Sequence, residues 1–323
     1  LNKKAVEMKR VLVTSRSFGT INDRVFRILD EAGIDYTLMG VDFDYASFAV
    51  AVTAYDALII GAHPFEPEDL ERCDKLRIIC KHGAGVDNIP LEKAKEMGIT
   101  VTNAPATNAE AVADLTFAHI LNSSRGLSLS NARIHAGQYQ TYIGSDVWGK
   151  TLGLVGFGAI ARAVARRAAG FSMKVLVFDP YVNHVPEEMD NYVNLLDFDS
   201  LLAESDIVSI HAPLTEETRY LFNSKTILRM RKDALLVNMA RGGIVQEEDL
   251  YACMKSGHLS GAALDVTEDE PVRDDNPLLQ LENVVITAHM GMYTAEALNA
   301  IGITCAENVV RKLRGEAVLY EVG

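Results

Sequence analysis

Arg241, Glu270 and His289 are the side chains whose types and placing could do chemistry together in this sequence. Arg241 follows the apolar run LLVNMA and precedes two glycines; His289 closes NVVITAH. Between them GAALDV ends near Asp265, with Glu270 in the acidic loop that follows. Arginine is rarely buried without an anion, because stripping water from a charge costs several kcal/mol. Its planar fork can hold a carboxylate and polarise a carbonyl oxygen. An imidazole can donate a proton to an alkoxide forming at that carbonyl and recover it in reverse. A carboxylate hydrogen-bonded to the imidazole would favour the imidazolium. Taken singly the residues have plainer readings: His289 as a structural histidine, Glu270 in a solvated loop, Arg241 as a partner for Asp265. Three such groups at successive strand ends favour catalysis, because ligands bind beyond the carboxyl ends of the strands in an open parallel sheet.

A second constellation lies upstream. GLVGFGAIA contains Gly156-x-Gly158-x-x-Ala161 after an apolar strand and at the start of a helix. Gly156 permits the tight turn, Gly158 lets backbone approach a pyrophosphate, and Ala161 allows close helix–sheet packing. The helix N-terminus then offers free N–H groups to phosphates. Asp179 ends the next strand, KVLVFDP, roughly 20 residues on, where an acid accepts hydrogen bonds from ribose hydroxyls. An acid there repels a 2′-phosphate, and neither Pro180 nor Tyr181 supplies a cation, so NAD is expected over NADP. Arg166 and Arg167 on the following helix are expected to face solvent.

The elements that must carry these groups alternate almost from end to end. RVLVTS, YDALIIGA, LRIICKHGAG and GITVTNAP read as strands. NDRVFRILDEAG, PEDLERC and PLEKAKEMG are the helices between them. Asn22 or Asp23 would cap the first helix and Gly33 would stop it, while Pro67 and Pro90 sit at helix starts. One long helical stretch is expected from about Asn108 to His135. The alternation then restarts at KTLGLVGFGAIARAVARRA, with further strands KVLVFDP, DIVSIHAPL, ALLVNMA, GAALDV and NVVITAH, and the helix AEALNAIGITCAENVVRKL closes the chain. The pattern predicts an α/β protein with two doubly wound parallel-sheet domains.

The 323 residues suit two domains at about 150 residues each. A net charge of −13 argues against a general nucleic-acid binder. Cys73, Cys80, Cys253 and Cys305 show no CxxC spacing, so reduced cysteines in a cytoplasmic protein are expected, with no disulfide framework and no metal site. LNKKAVEMKR is basic but no apolar core of a leader follows it, and no apolar run is long enough for a membrane span.

GLVGFGAIA, FDP, HAPLTEETR, NMARGGIV, ALDVTEDEP and TAHMG resemble, in order, the signature blocks of the NAD-dependent D-2-hydroxyacid dehydrogenases. KHGAGVDNIP and NAPATNAEAVADLT look most like the D-3-phosphoglycerate dehydrogenase branch. The resemblance covers nearly the whole chain. It implies a flavodoxin-like substrate domain, residues 1–103 plus 292–323, around a Rossmann cofactor domain, residues 104–291. It also implies that the catalytic set falls on Arg241, Glu270 and His289. Ala159 and Ile160 would cover the pyrophosphate, and His211, Ala212 and Pro213 would pass near the adenosine ribose. Met239, Ala240 and Asp265 would flank the nicotinamide, with Met290, Gly291 and Met292 following the histidine. The turn Gly83-Ala84-Gly85 would present N–H groups to the substrate carboxylate, shared with Arg241, and His82 beside it has either a substrate or a structural role. The helical stretch after Asn108 resembles a dimerisation arm, so a homodimer is expected.

The sequence departs from the family pattern in three places. TPH reads TAH, with the bulky Met290 and Met292 after it. HAGQYQTYIGSDVWGK lacks the usual basic residues. With the sequence ending at Gly323, a short form without the C-terminal regulatory domain is expected. The strand DALIIG also runs into Ala62, His63 and Pro64 where a basic residue commonly follows, leaving His63, His82 or a second subunit's Arg133 to serve a phosphate. An unphosphorylated 2-hydroxy/2-oxo acid pair of the hydroxypyruvate or glyoxylate type is therefore expected, with D-3-phosphoglycerate as the alternative. A catalytically inactive NAD-sensing corepressor of the same fold would keep the glycine turn but need not keep all three strand-end residues. A flavin or methyl-donor enzyme would leave those three unexplained.

Overall fold

The computed structural model describes residues 8–40 and 43–322; of the basic N-terminal stretch, residues 1–7 lie outside it. The chain divides into two compact units, one running to Asn108 and resuming at Met292, the other Ala109–Gly291.

The first unit opens with β1 (Arg10–Val13), α1 (Arg24–Glu31), β2 (Asp35–Leu38), α2 (Tyr45–Ala51) and β3 (Ala57–Ile60). It continues with α3 (Pro67–Leu70), β4 (Ile78–Lys81), α4 (Leu91–Glu96) and β5 (Thr100–Thr102). The second unit contains α5 (Ala109–Arg125), α6 (Leu127–His135), β6 (Thr151–Val155), α7 (Ala159–Gly170), β7 (Lys174–Phe178) and β8 (Val193–Leu195). After these come α8 (Phe198–Glu204), β9 (Ile207–Ile210), α9 (Ser224–Ile227), β10 (Leu235–Asn238), α10 (Glu247–Lys255), β11 (Gly261–Leu264) and β12 (Val284–Ile286). The chain then re-enters the first unit as α11 (Ala295–Arg314) and β13 (Glu321–Val322).

In the first unit the strand order is β13-β5-β4-β3-β1-β2. The strands are parallel except β13, which pairs antiparallel with β5. That edge strand departs from the wholly parallel sheet expected, and β2 was not anticipated either. β2 buries no residue fully, and β13 is two residues long, so neither carries a clear apolar run. The inner strands are apolar at successive positions because both faces are covered. Val11 and Val13 pack with Val25, Leu29 and Ile301 on one face, while Leu12 packs with Phe48 and Leu70 on the other. Asn22 supplies the start signal of α1 by accepting the Arg24 amide at 3.0 Å.

The second unit is a seven-stranded sheet ordered β12-β11-β10-β9-β6-β7-β8, parallel throughout. Leu152, Leu154 and Val237 face the layer of α5 and α7. Leu176, Ile210 and Leu236 face the layer of α8, α9 and α10. The long helical stretch expected from about Asn108 to His135 is present as two helices, α5 and α6. Gly126 breaks it at φ 58°, and a Cβ there would stand 2.6 Å from the Tyr142 ring. Arg166 is exposed, as expected, and pairs with Glu110, whereas Arg167, also expected in solvent, is half-buried and pins α7 to α5 through Glu110 and Asp114.

Candidate active site

The second unit's strand order reverses between β6 and β9, the kind of point at which open α/β sheets leave a ligand crevice. The turn after β6 borders it. Gly156 has φ +91°, and a Cβ on it would press to 2.9 Å against the backbone of His211 and Ala212 after β9. Around Gly158 a Cβ would meet nothing within 4 Å, and α7 starts there without a side-chain cap or an acid in its first turn. Gly158 and Ala159 are exposed, whereas Ala161 is buried against the sheet. An uncapped helix start with open space before it suits an anionic pyrophosphate.

Asp179 stands beside that turn. Its carboxylate accepts the Phe157 amide at 2.8 Å and the Tyr181 amide at 2.9 Å. Two bonds leave lone pairs for ribose hydroxyls, since a carboxylate has about four acceptor positions. His211 places Nε2 2.9 Å from Ser209 Oγ, while its buried Nδ1 has no partner. Burial pushes its pKa down to about 3, so it contributes no positive charge.

Arg241 is presented by a turn that its neighbours lock. The buried Asn238 accepts the Ala240 amide at 3.1 Å and donates to the Arg241 carbonyl at 2.9 Å. Gly242 follows because a Cβ there would lie 1.9 Å from the Thr267 carbonyl oxygen. This close approach draws the loop after β10 against the loop after β11. Arg241 itself donates to the Ala240 carbonyl at 2.7 Å.

The loop after β11 carries Glu270, and Glu270 Oε2 lies 2.7 Å from His289 Nδ1. Burial pushes the Glu270 carboxyl up. The hydrogen bond and charge of His289, the Thr267 amide and the Arg241 guanidinium outweigh that and hold it below the usual carboxylate range. His289 has φ +48°, a left-handed conformation that a non-glycine residue seldom adopts and that clusters at functional sites.

Asp265, expected to flank the nicotinamide, has its carboxylate turned onto the histidine loop. It accepts the Thr287 hydroxyl at 2.6 Å, the Met290 amide at 2.9 Å and the Gly291 amide at 2.8 Å. Met239, expected at the same place, is 7% exposed and packs in the core, while Ala240 is half-buried. The sequence reading missed Asn238 and Thr287. A polar residue closing an apolar strand was the signal for Asn238; Thr287 carried none.

In the first unit, Gly83 takes φ +153° and its carbonyl accepts the Ala104 amide at 2.9 Å. Asn103 Nδ2 donates to the Ala84 carbonyl at 2.7 Å. Among the described residues the amides of Ala84 and Gly85 enter no backbone hydrogen bond. His82 is buried with Nδ1 3.0 Å from Ser15 Oγ, and burial lowers its pKa to about 4. His63 places Nε2 2.8 Å from Thr14 Oγ1 and Nδ1 2.8 Å from the Pro64 carbonyl oxygen, and burial lowers its pKa as well. Lys81, missed in the sequence, ends β4 two residues before the turn. Its Nζ donates to the Gly61 carbonyl and to Asn88 Oδ1, both at 2.7 Å. The two methionines part company: Met290 is exposed in the second unit, while Met292 packs in the first unit's core near Gly83.

Comparison with known proteins decides the family. Residues 117–291 match the model of the D-isomer specific 2-hydroxyacid dehydrogenase NAD binding domain. The chain belongs to the D-isomer-specific 2-hydroxyacid dehydrogenases. This is a family of NAD-dependent oxidoreductases acting on hydroxy acids. A hydroxypyruvate reductase of Thermotoga maritima is 40% identical over 263 residues, which are 80% of this chain and 85% of that one. A D-3-phosphoglycerate dehydrogenase of Methanocaldococcus jannaschii is 37% identical over 314 residues, 96% of this chain. The match spans only 58% of that relative's length. Among solved structures, the TT0316 protein of Thermus thermophilus superposes with a TM-score of 0.90 at 34% identity, covering 97% of this chain and all of that one.

For this D-2-hydroxyacid dehydrogenase, the carboxylate beside the glycine turn generates a prediction about cofactor choice. NADH should be preferred over NADPH by at least about 2 kcal/mol, because Asp179 would face the extra phosphate and neither Pro180 nor Tyr181 beside it supplies a cation. Asp179→Ala should narrow the gap mainly by weakening NADH. Titration of both cofactors by fluorescence measures this, and equal affinities in the unmodified protein would refute it.

Proposed function

We propose that this chain interconverts an unphosphorylated 2-oxo acid, of the hydroxypyruvate or glyoxylate type, and the D-2-hydroxy acid. The observation that carries the reading is the 2.7 Å contact between His289 Nδ1 and Glu270 Oε2 within the charge of Arg241. NAD(H), when bound, supplies or removes the hydride. Gly156, Gly158, Ala159 and Ile160 would hold its pyrophosphate, Asp179 its ribose, and the backbone of His211, Ala212 and Pro213 would line its path. Met239 and Ala240 would approach the nicotinamide through backbone, since the Met239 side chain is buried.

The residues of this chain do the rest. Arg241 clamps the substrate carboxylate and carbonyl oxygen and stabilises negative charge growing on that oxygen. Because Nδ1 of His289 is committed to a carboxylate, Nδ1 carries a hydrogen and Nε2 is the nitrogen that gives up or takes a proton. In reduction Nε2–H passes its proton to the alkoxide; in oxidation neutral Nε2 accepts it from the hydroxyl. Gly83, Ala84 and Gly85 would present amides to the carboxylate.

The substrate assignment rests on charge. A dianionic phosphate needs cations beyond those that serve the carboxylate. Burial lowers the pKa of both histidines left for that task in the first unit, that of His82 to about 4, which disfavours their charged forms. Arg133 is paired with Glu282 at 2.8 Å. Lys81 is a cation the sequence reading did not count, and it favours D-3-phosphoglycerate as the second reading. Its ammonium is bound to two internal acceptors, however, and one such charge suits one carboxylate. An inactive NAD-sensing corepressor gains nothing from the Glu270–His289 contact.

A homodimer through α6 and the segment after it accounts for apolar side chains standing in solvent: Leu127, Ile134, Ile143 and Trp148 are each more than half exposed. Four free, buried cysteines suit a cytoplasmic protein. Among the described residues no helix is long and apolar enough to cross a membrane.

Loss of the guanidinium in Arg241→Gln should cost on the order of 3–5 kcal/mol in kcat/KM. His289→Ala should lower kcat and leave NADH affinity nearly intact. Near-normal turnover in either variant, in a steady-state assay with hydroxypyruvate, would remove the assignment.

The pH dependence has a definite sign. Reduction requires His289 protonated, and ionised Glu270 stabilises that form. Reductive kcat/KM should therefore fall as pH rises. Glu270→Gln removes the anion, so the fall should move to lower pH. An unmoved profile would show that the 2.7 Å contact does not govern the proton.

With equal concentrations of hydroxypyruvate and 3-phosphohydroxypyruvate competing, the unphosphorylated acid should be consumed faster. A phosphate without cations forgoes roughly 1.5–3 kcal/mol per missing charge-assisted hydrogen bond. A tenfold preference for the phosphorylated acid would make the second reading correct.

A further inference from the structure

His119 is a buried histidine that the proposed mechanism does not use, on the helix that packs beneath the catalytic loop. Val112 and His119 lie seven positions apart on α5, hence on one face of the helix. That face meets the loop at two points. A Cβ on Gly291 would stand 3.2 Å from a Val112 methyl. His119 Nε2 is 3.0 Å from Thr287 Oγ1.

Thr287 has one hydroxyl hydrogen, and it is spent on Asp265 Oδ1 at 2.6 Å, because an ionised carboxylate is an acceptor only. Thr287 Oγ1 must then accept from His119, so Nε2 of His119 carries a hydrogen. The chain of donors runs from His119 through Thr287 to Asp265. The two carboxylate oxygens of Asp265 hold the amides of Met290 and Gly291, and its backbone carbonyl accepts the His289 amide at 2.8 Å. These bonds surround a residue in the left-handed region, which persists only where the surroundings over-determine it. Burial pushes the His119 pKa down, in keeping with a neutral donor.

We propose that His119 is a positioning residue: through Thr287 it orients the Asp265 carboxylate, and thereby sets the conformation from which His289 exchanges its proton. The proposal rests on the reading of His289 as the proton donor. Bonds in such a chain polarise one another, so the links should act as a unit. Thr287 alone could rotate its hydroxyl to other acceptors; a donor fixed from α5 denies it that freedom.

The test compares H119L, which removes the donor, with H119Q, whose amide can donate from a similar reach, alongside T287V, T287S and the double variant H119L/T287V. H119L should lower reductive kcat about tenfold, since small misplacement of a reacting group costs up to about a hundredfold. NADH affinity should stay within about twofold, because a group acting on the chemical step leaves cofactor binding unchanged. H119Q and T287S should recover most of the activity. H119L/T287V should be little worse than T287V alone, as expected for one chain of contacts. Melting temperature is measured for each, so that a variant that merely unfolds is recognised, and T287V reports on the same link from its other end. In the spectrum of protein with 15N-labelled histidine, His119 should show the neutral Nε2–H form; the Nδ1–H form would overturn the proposal. So would full activity in both H119L and T287V, equal losses in H119L and H119Q, or additive losses in the double variant. H289N separates the two readings. If it keeps activity, the proton-donor assignment fails; if it is inactive while H119L is normal, only the role of His119 fails.

Discussion

A buried carboxylate organises the site. Asp265 is 2% exposed, and charge so far from water is tolerable only when donors replace the lost hydration. Three donors do so, and all of them lie at or beyond the end of β12: the Thr287 hydroxyl and the amides of Met290 and Gly291. Desolvation that would otherwise destabilise the unit is converted into a fixed course for the chain on both sides of His289. The left-handed backbone of His289 is the local cost of that course.

The remaining members of the set follow from how parallel strands end. Adjacent parallel strands deliver their carboxyl ends to one rim, so the loops after β10, β11 and β12 are neighbours by construction. Two small features then set their spacing. Asn238 ties the Arg241 turn to the end of its own strand. The missing side chain of Gly242 lets the Thr267 carbonyl come in close. Glu270 is thereby placed where the His289 hydrogen bond and charge, then the Thr267 amide and the Arg241 guanidinium, overcome the burial that would protonate it.

The first unit's rim shows the converse case, in which burial disfavours charge. His82 and His63 sit at strand ends where cations would serve an anionic ligand. Packing around their rings instead disfavours their charged forms, with ring nitrogens facing Ser15 and Thr14. Lys81 escapes this because a long stem carries its ammonium to the Gly61 carbonyl and the Asn88 amide oxygen. Among the described residues that rim offers backbone amides and the Lys81 ammonium, with Arg16 exposed in the loop after β1.

Much of this was legible in the sequence. Apolar runs with helices between them specify parallel sheets, because only strands covered on both faces lack polar alternation. The glycine turn with Asp179, and Arg241, Glu270 and His289 at strand ends, were readable because local backbone demands and residue chemistry are both written in short motifs. Other features were not legible. The break at Gly126 depends on the ring of Tyr142, sixteen residues on. The pairing of Arg166 and Arg167 depends on a helix more than fifty residues away. The edge strand β13 has too few residues to show a period. Above all, the sequence names Asp265, Thr287 and His119 without order or direction. Which atoms of a carboxylate, a hydroxyl and an imidazole face one another is settled by the packing of α5 against the ends of β11 and β12. Residue types determine what bonds are possible; only the tertiary structure, by excluding water and restricting each donor to one acceptor, decided which of them form.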